Sequence, residues 1–313
     1  MEPAEESLPA APPAGTKSAL AFTGLLLALL LPALLAQHES PVLGLAATQL
    51  AVFLLPALAA TAGSNLRVTP YLRLGRVRPG LILLGALAGT AGYVTGGAVM
   101  AIAQRLLPRA WVETFDVARL FEAPTWERWS LAALAALAAP VCEELTFRGY
   151  VQTTLSLRRR PAIAIAVGAI LFATIHLDPV RLPALLVLGT TFGWLTWRAG
   201  SIWPSVAAHA TNNGIAAALL LTIGPPEREA APTPAQLAGT LAFGAVALAL
   251  LLARFRAATP VPPPATDALS LVDPASPSLE WRASRVPAPL ALAALAGLAS
   301  LLLLALAGLT RGR

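Results

Sequence analysis

Six residues of this 313-residue chain have the types and spacing for hydrolytic chemistry: Glu143, Glu144, Arg148, His176, His209 and Asn213. The two glutamates follow, after Pro140-Val141-Cys142, a stretch of only Leu and Ala at 131–139, inside a segment apolar enough to cross a bilayer. Carboxylates at membrane depth are costly and by default mark function. Glu144 and Arg148 are one helical turn apart and can pair on one face, while Glu143 is turned about 100° away. The division that follows is a charge-balanced Glu144 and a Glu143 left for another partner, as a general base or acid would be. His209 and Asn213 are also four apart, so both can point to one spot, and both donate hydrogen bonds as an oxyanion site requires. Phe172 and His176 share a face in the same way, which sets an aromatic wall beside the imidazole.

Each residue also has a plainer reading. A single Glu–Arg pair is often a structural clamp, a histidine near a helix end is usually interfacial, and an asparagine in a span commonly ties helices together. Taken singly, His176 and Asn213 fit those readings. Taken together, two carboxylates, an Arg, two His and an Asn from neighbouring apolar segments point to a site. Cys142 is the one cysteine, so no intramolecular disulfide forms, and it reads as a small packing residue.

The elements that must position these groups are membrane helices. The chain is 57% hydrophobic and 12% charged, with a mean hydropathy of +0.69, whereas soluble domains carry roughly a quarter charged residues. The fold class expected is all-α, a polytopic helical membrane protein with about eight to nine transmembrane helices. Nine stretches are long and apolar enough: 18–36, 42–62, 80–104, 128–155, 161–177, 181–199, 201–222, 236–254 and 287–309. Residues 1–17 read as a disordered, acidic N-terminal tail leading into an uncleaved first span, 18–255 as the membrane domain, 256–286 as a proline-rich linker and 287–309 as a C-terminal transmembrane helix. Gly85/Gly89 and Gly92/Gly96 have the spacing of close helix–helix packing. Residues 105–127 mix aromatic and charged side chains as an interfacial segment would.

With the N-terminus taken as cytoplasmic, thirteen Lys and Arg fall on inside segments and eight on outside ones, with Arg148 within a span. That bias favours a cytoplasmic N-terminus. The net charge of +6 is therefore read as loop anchoring. No basic stripe interleaved with aromatics supports nucleic-acid binding. The expected partners are the lipid bilayer and a membrane protein or peptide substrate. Heavy Ala, Arg and Pro usage points to a bacterium with GC-rich DNA, hence to a bacterial cytoplasmic membrane.

The strings Glu143-Glu144-x-x-x-Arg148, Phe172-x-x-x-His176 and His209-x-x-x-Asn213 resemble the three motifs of the CPBP family, the CAAX-protease and bacteriocin-processing (Abi) intramembrane proteases. Gly149-Tyr150 and the stretch Phe192-Gly193-Trp194 to Gly200-Ser201-Ile202-Trp203-Pro204 are similar as well. The resemblance covers 127–222, the CPBP-like catalytic core. It implies an intramembrane endopeptidase in which Glu143 and His176 activate a water, His209 and Asn213 stabilise the oxyanion, and Glu144 with Arg148 hold the geometry.

The family's metalloprotease label implies zinc as a cofactor, for which Glu143, His176 and His209 are the available ligands. The chain has no H-E-x-x-H string, and a glutamate-activated water without metal is the reading preferred. Two alternatives from other classes stand beside it: a proton-coupled transporter using the same Glu/Arg/His cluster, and a non-catalytic scaffold of the same family. No repeat between the halves supports the transporter.

Overall fold

The computed structural model describes residues 16–64, 66–118, 125–224 and 232–259, and the regular elements among them are all helical. In chain order these are α1 (Thr16–Glu39), α2 (Pro41–Gly63), the short α3 (Val68–Tyr71), α4 (Pro79–Leu106), the short α5 (Arg109–Thr114) and α6 (residues 125–156). They are followed by α7 (Pro161–Ile175), α8 (Leu182–Ala199), α9 (Trp203–Thr222) and α10 (Pro234–Ala258). Several of the 28 prolines start helices. Six of them, α2, α4, α7, α8, α9 and α10, carry Pro at their first or second position, where the missing N–H has no partner to lose. Ser40 caps α2, and Thr233 with Gln236 forms a capping box on α10. Helix α8 stops at Gly200, whose φ of 67° is the left-handed conformation of a helix C-terminus.

Proline inside a helix acts differently. It removes one hydrogen bond and crowds the carbonyl four residues earlier. Helices α2 and α6 absorb Pro56 and Pro140 by widening the preceding turns into π-helical segments, Thr48–Leu54 and Leu134–Ala138. A third π segment, Leu145–Val151, follows the two glutamates. Such segments recur at functional sites because they re-aim side chains and carbonyls.

Five helices, α1, α2, α4, α6 and α10, are long and apolar enough to cross a membrane, and outward-facing Leu31, Leu83, Phe243 and Leu250 present an apolar surface. The chain is an integral membrane protein. The count of eight to nine is not reached on this measure. The expected spans 161–177, 181–199 and 201–222 are helices, but α7 has 15 residues, about 22 Å against a hydrocarbon core of about 30 Å. Helices α8 and α9 lose apolarity to Thr190, Thr191, Thr196 and Arg198, and to His209, Asn212 and Asn213. The ninth expected span, the tail up to residue 15 and the linker from residue 260 lie outside the described residues.

Helix α4 is the spine, packed against α8, α9 and α10. The glycine spacing seen in the sequence serves this contact. A Cβ on Gly85 would run into the carbonyl oxygen of Pro204, and one on Gly89 into that of Ala208, so α9 lies backbone to backbone on α4 immediately beside His209. Gly92 meets Leu188 of α8, where an added Cβ would stand 3.1 Å from Cδ2. On the other side Thr146 Oγ1 of α6 donates to the Phe53 carbonyl of α2 at 2.9 Å. The turn after α3 closes one end of the bundle. Tyr71 is fully buried and shares a 2.7 Å hydrogen bond with Thr154, and Ile202 N donates to the Arg73 carbonyl. Burial pushes the Tyr71 phenol well above its ordinary pKa.

Candidate active site

The site forms where α2, α6, α7, α8 and α9 converge. Glu144 and Arg148 are its innermost pair, 0% and 1% exposed. Arg148 Nη1 donates to Glu144 Oε1 at 2.9 Å and Nη2 to the Gly189 carbonyl of α8 at 3.0 Å. The guanidinium also faces the rings of Phe172, at 4.3 Å, and Phe192, at 5.4 Å. Charge, carbonyl and two aromatic faces together meet the desolvation that a buried cation demands. Gly189 allows the approach, since a Cβ there would stand 3.2 Å from Phe172 Cδ1. One turn on, Gln152 repeats the bond to Gly193, at 2.9 Å, so α6 and α8 are held in register by two side chains on two carbonyls.

Glu144 Oε1 also accepts from His209 Nδ1 at 2.9 Å. A carboxylate oxygen paired to Arg148 accepts, so Nδ1 carries the proton. His209 is stacked on Phe192 at 5.0 Å and meets Phe172 edge-on at 5.9 Å, which fixes its ring plane. Its Nε2 is thereby turned to Glu143 Oε2, 3.8 Å away. His176 caps the C-terminus of α7, where Nδ1 donates to the Phe172 carbonyl at 2.7 Å and the ring lies against Phe172. Its Nε2 therefore bears the lone pair of the neutral imidazole and stands 4.0 Å from the same Glu143 Oε2.

Glu143 is thus the meeting point. Its Oε1 accepts from Gln49 Nε2 at 3.1 Å, and its Oε2 is buried with no hydrogen-bond partner in the protein. It lines a cavity of about 770 Å³, mostly apolar, together with Gln49, His176, His209, Asn212 and Asn213; Glu144 and Arg148 stand behind this wall. Asn213 Nδ2 donates to the Ala135 carbonyl on the π segment of α6 at 2.9 Å, and its Oδ1 accepts from Asn212. The structure therefore brings together all six residues singled out in the sequence. Glu143 faces the cavity and Glu144 the Arg. Asn213 is tied to α6 rather than to His209.

Sequence reasoning missed Gln49, the one side-chain amide in the second apolar stretch, which the rule for polar groups at membrane depth could have found. It also missed Asp178, which accepts from Val180 N and Arg181 N and pairs with Arg181 Nε at 2.6 Å. This cap holds the His176–Arg181 connection, in which Leu177 has a φ of 51°. The Asp178-Pro179 pair, a turn-initiating dipeptide, is the signal that could have found it.

Glu143, His176 and His209 do not fit zinc as placed. At ordinary bond lengths an ion bridging Glu143 Oε2 to either Nε2 would subtend about 130–145°, against the ~109° of a tetrahedral site. No group of three or more His, Cys, Asp or Glu among the described residues is placed to hold a metal ion.

No curated protein and no solved structure matches the chain. Residues 125–215 match the family model described as type II CAAX prenyl endopeptidase Rce1-like. That interval, less than a third of the chain, holds all three motifs and every site residue except Gln49, and the match supports the resemblance read from them: the segment that builds this site is similar to the CAAX-protease family.

Proposed function

We propose that the protein is an intramembrane endopeptidase that hydrolyses a peptide bond of a membrane-associated protein or peptide, with water activated by Glu143 and His176 and no metal ion. The observation that carries this reading is the unpartnered Glu143 Oε2, facing two imidazole Nε2 atoms at 4.0 and 3.8 Å on the wall of an apolar cavity. A water at about 2.8 Å from Oε2 and from His176 Nε2 subtends roughly 90°, a comfortable geometry for donating to both. Its remaining lone pairs then face the cavity. Glu143 takes the proton as the oxygen attacks the scissile carbonyl, and returns it to the leaving amine nitrogen, so one water is consumed for one bond cleaved.

His209 and Asn213 supply the hydrogen bonds to the oxyanion. With Nδ1 given to Glu144, His209 donates from Nε2 as the imidazolium, balanced by the two carboxylates beside it. Asn213 uses the amide hydrogen left by its bond to Ala135. Glu144 and Arg148 do not touch the substrate in this scheme; they aim His209. Helices α7, α8 and α9 complete the crossing of a bacterial cytoplasmic membrane, with the N-terminus on the cytoplasmic side.

The test is cleavage of a membrane-protein substrate identified by comparing membrane proteomes of cells carrying the wild type and Glu143→Gln. Glu143→Gln and His176→Ala should each reduce turnover by about 10²–10⁴ while the purified protein keeps its thermal midpoint. Wild-type turnover in either variant sinks the assignment, and proton flux in liposomes without cleavage would replace it by a transporter.

A further inference from the structure

The two ends of the bundle differ sharply in charge. At one end lie the start of α1, the α2–α4 connection, the α6–α7 turn, the α8–α9 turn and the end of α10. These join through Arg73 Nε to Thr153 Oγ1, Ser201 Oγ to the Gly75 carbonyl and Arg198 to the carbonyls of Arg256 and Thr259. The described residues there include Lys17, Arg67, Arg73, Arg76, Arg78, Arg158, Arg159, Arg160, Arg198, Arg254 and Arg256, and no carboxylate. At the opposite end the described cations are Arg105, Arg109, Arg128 and Arg181. All the described carboxylates outside the active site are there too: Glu39, Glu113, Asp116, Glu127 and Asp178. A Lys/Arg excess of this kind marks the cytoplasmic side.

The cavity belongs to the other end. Most of its wall is drawn from the C-terminal halves of α1, α4, α7 and α9 and the N-terminal halves of α2, α6, α8 and α10, with Phe53, Glu143, Phe192 and His209 at its inner end, past the midpoints of their helices. In an alternating bundle these are all the halves remote from the arginines. The loop residues on its rim, Val117, Leu177, Arg181 and Pro232, lie at that end as well. Glu143 is thirteen residues from the end of α6 at Ser156 and His176 fifteen from the start of α7 at Pro161, while His209, six residues from the start of α9 at Trp203, stands at the cavity's inner end.

We propose that substrate reaches Glu143 from the extracytoplasmic face. The substrates are then membrane-associated polypeptides whose scissile bond is reached from that face, the chain entering beside Leu177 and Arg181 at the rim. Among the described residues, none from the arginine-rich turns lines the cavity. The substrate assignment rests on the protease reading above; the direction of access does not.

The experiment labels intact cells producing the full chain with a membrane-impermeant maleimide. Cys142 is buried, so the wild type serves as the unlabelled reference. Leu177→Cys, at a rim position 52% exposed, should label in intact cells, and Arg76→Cys only after permeabilisation. His38→Cys and Arg158→Cys form a second pair in case either variant does not accumulate. Labelling at both ends in intact cells, or the reverse pattern, overturns the proposal. An impermeant fluorogenic peptide added to sealed vesicles should be cleaved at least tenfold faster by right-side-out than by inside-out preparations, and equal or opposite rates overturn the substrate side. No cleavage in either orientation or in detergent removes the protease reading and with it the substrate class, while the labelling still decides the direction of access.

Discussion

Gln49 Nε2 donates to Glu143 Oε1 at 3.1 Å, linking a π segment of α2, outside the family-matched interval, to the residue at the centre of the site. The bond occupies one carboxylate oxygen and leaves the other to face both imidazoles. Gln49→Leu removes the donor while keeping the volume. Hydrogen bonds to ionised groups contribute about 1.5–3 kcal/mol, so kcat should fall roughly 10- to 100-fold with KM little changed. Steady-state kinetics on the purified variant decide it. A fall in thermal midpoint with unchanged kcat would make Gln49 a packing residue only.

Arg148→Ala removes the guanidinium partner of a fully buried Glu144 and leaves it His209 alone, and breaking a buried pair in this way costs about 3–5 kcal/mol. The expected outcome is a large drop in thermal midpoint together with loss of activity. Arg148→Lys should not rescue it. A point-charge ammonium cannot fork between Glu144 and the Gly189 carbonyl while lying against two rings.

Asn213→Ala tests the oxyanion assignment. Loss of one such donor costs about 10²–10³ in kcat. The bond to Ala135 is lost as well, so a thermal melt must accompany the kinetics. Asn212→Ala, which removes only a donor to Asn213, should cost far less, and equal effects of the two would refute the division between them.

Gly89→Val should displace α9 from α4 and carry His209 away from Glu143, reducing both stability and turnover. Gly239→Ala on α10, where an added Cβ meets nothing within 4 Å, should raise stability by about 0.5–1 kcal/mol through helix propensity alone. Thermal midpoints of the two variants in one detergent make the comparison.

Purified, active protein should contain zinc well below one equivalent and keep its activity after chelation. Stoichiometric zinc that leaves together with activity would defeat the metal-free mechanism and would require Glu143 and the two histidines to move closer than 3.8 Å.

By itself the sequence determined that the chain is a helical membrane protein, which polar residues stand at membrane depth, and that Glu144 pairs with Arg148. All of this follows from composition and from contacts within one helical turn. The glycine pairs of the third apolar stretch were legible too, because close packing needs small residues at fixed spacing. Tertiary structure alone decided which oxygen of Glu143 is free, because that depends on Gln49, ninety-four positions away. It also decided that His209 is aimed by Glu144, and that Asn213 is anchored on a π segment created by Pro140. Local spacing carries one turn of a helix; a site assembled from five helices depends on how they are rotated against each other, and that is settled only by packing.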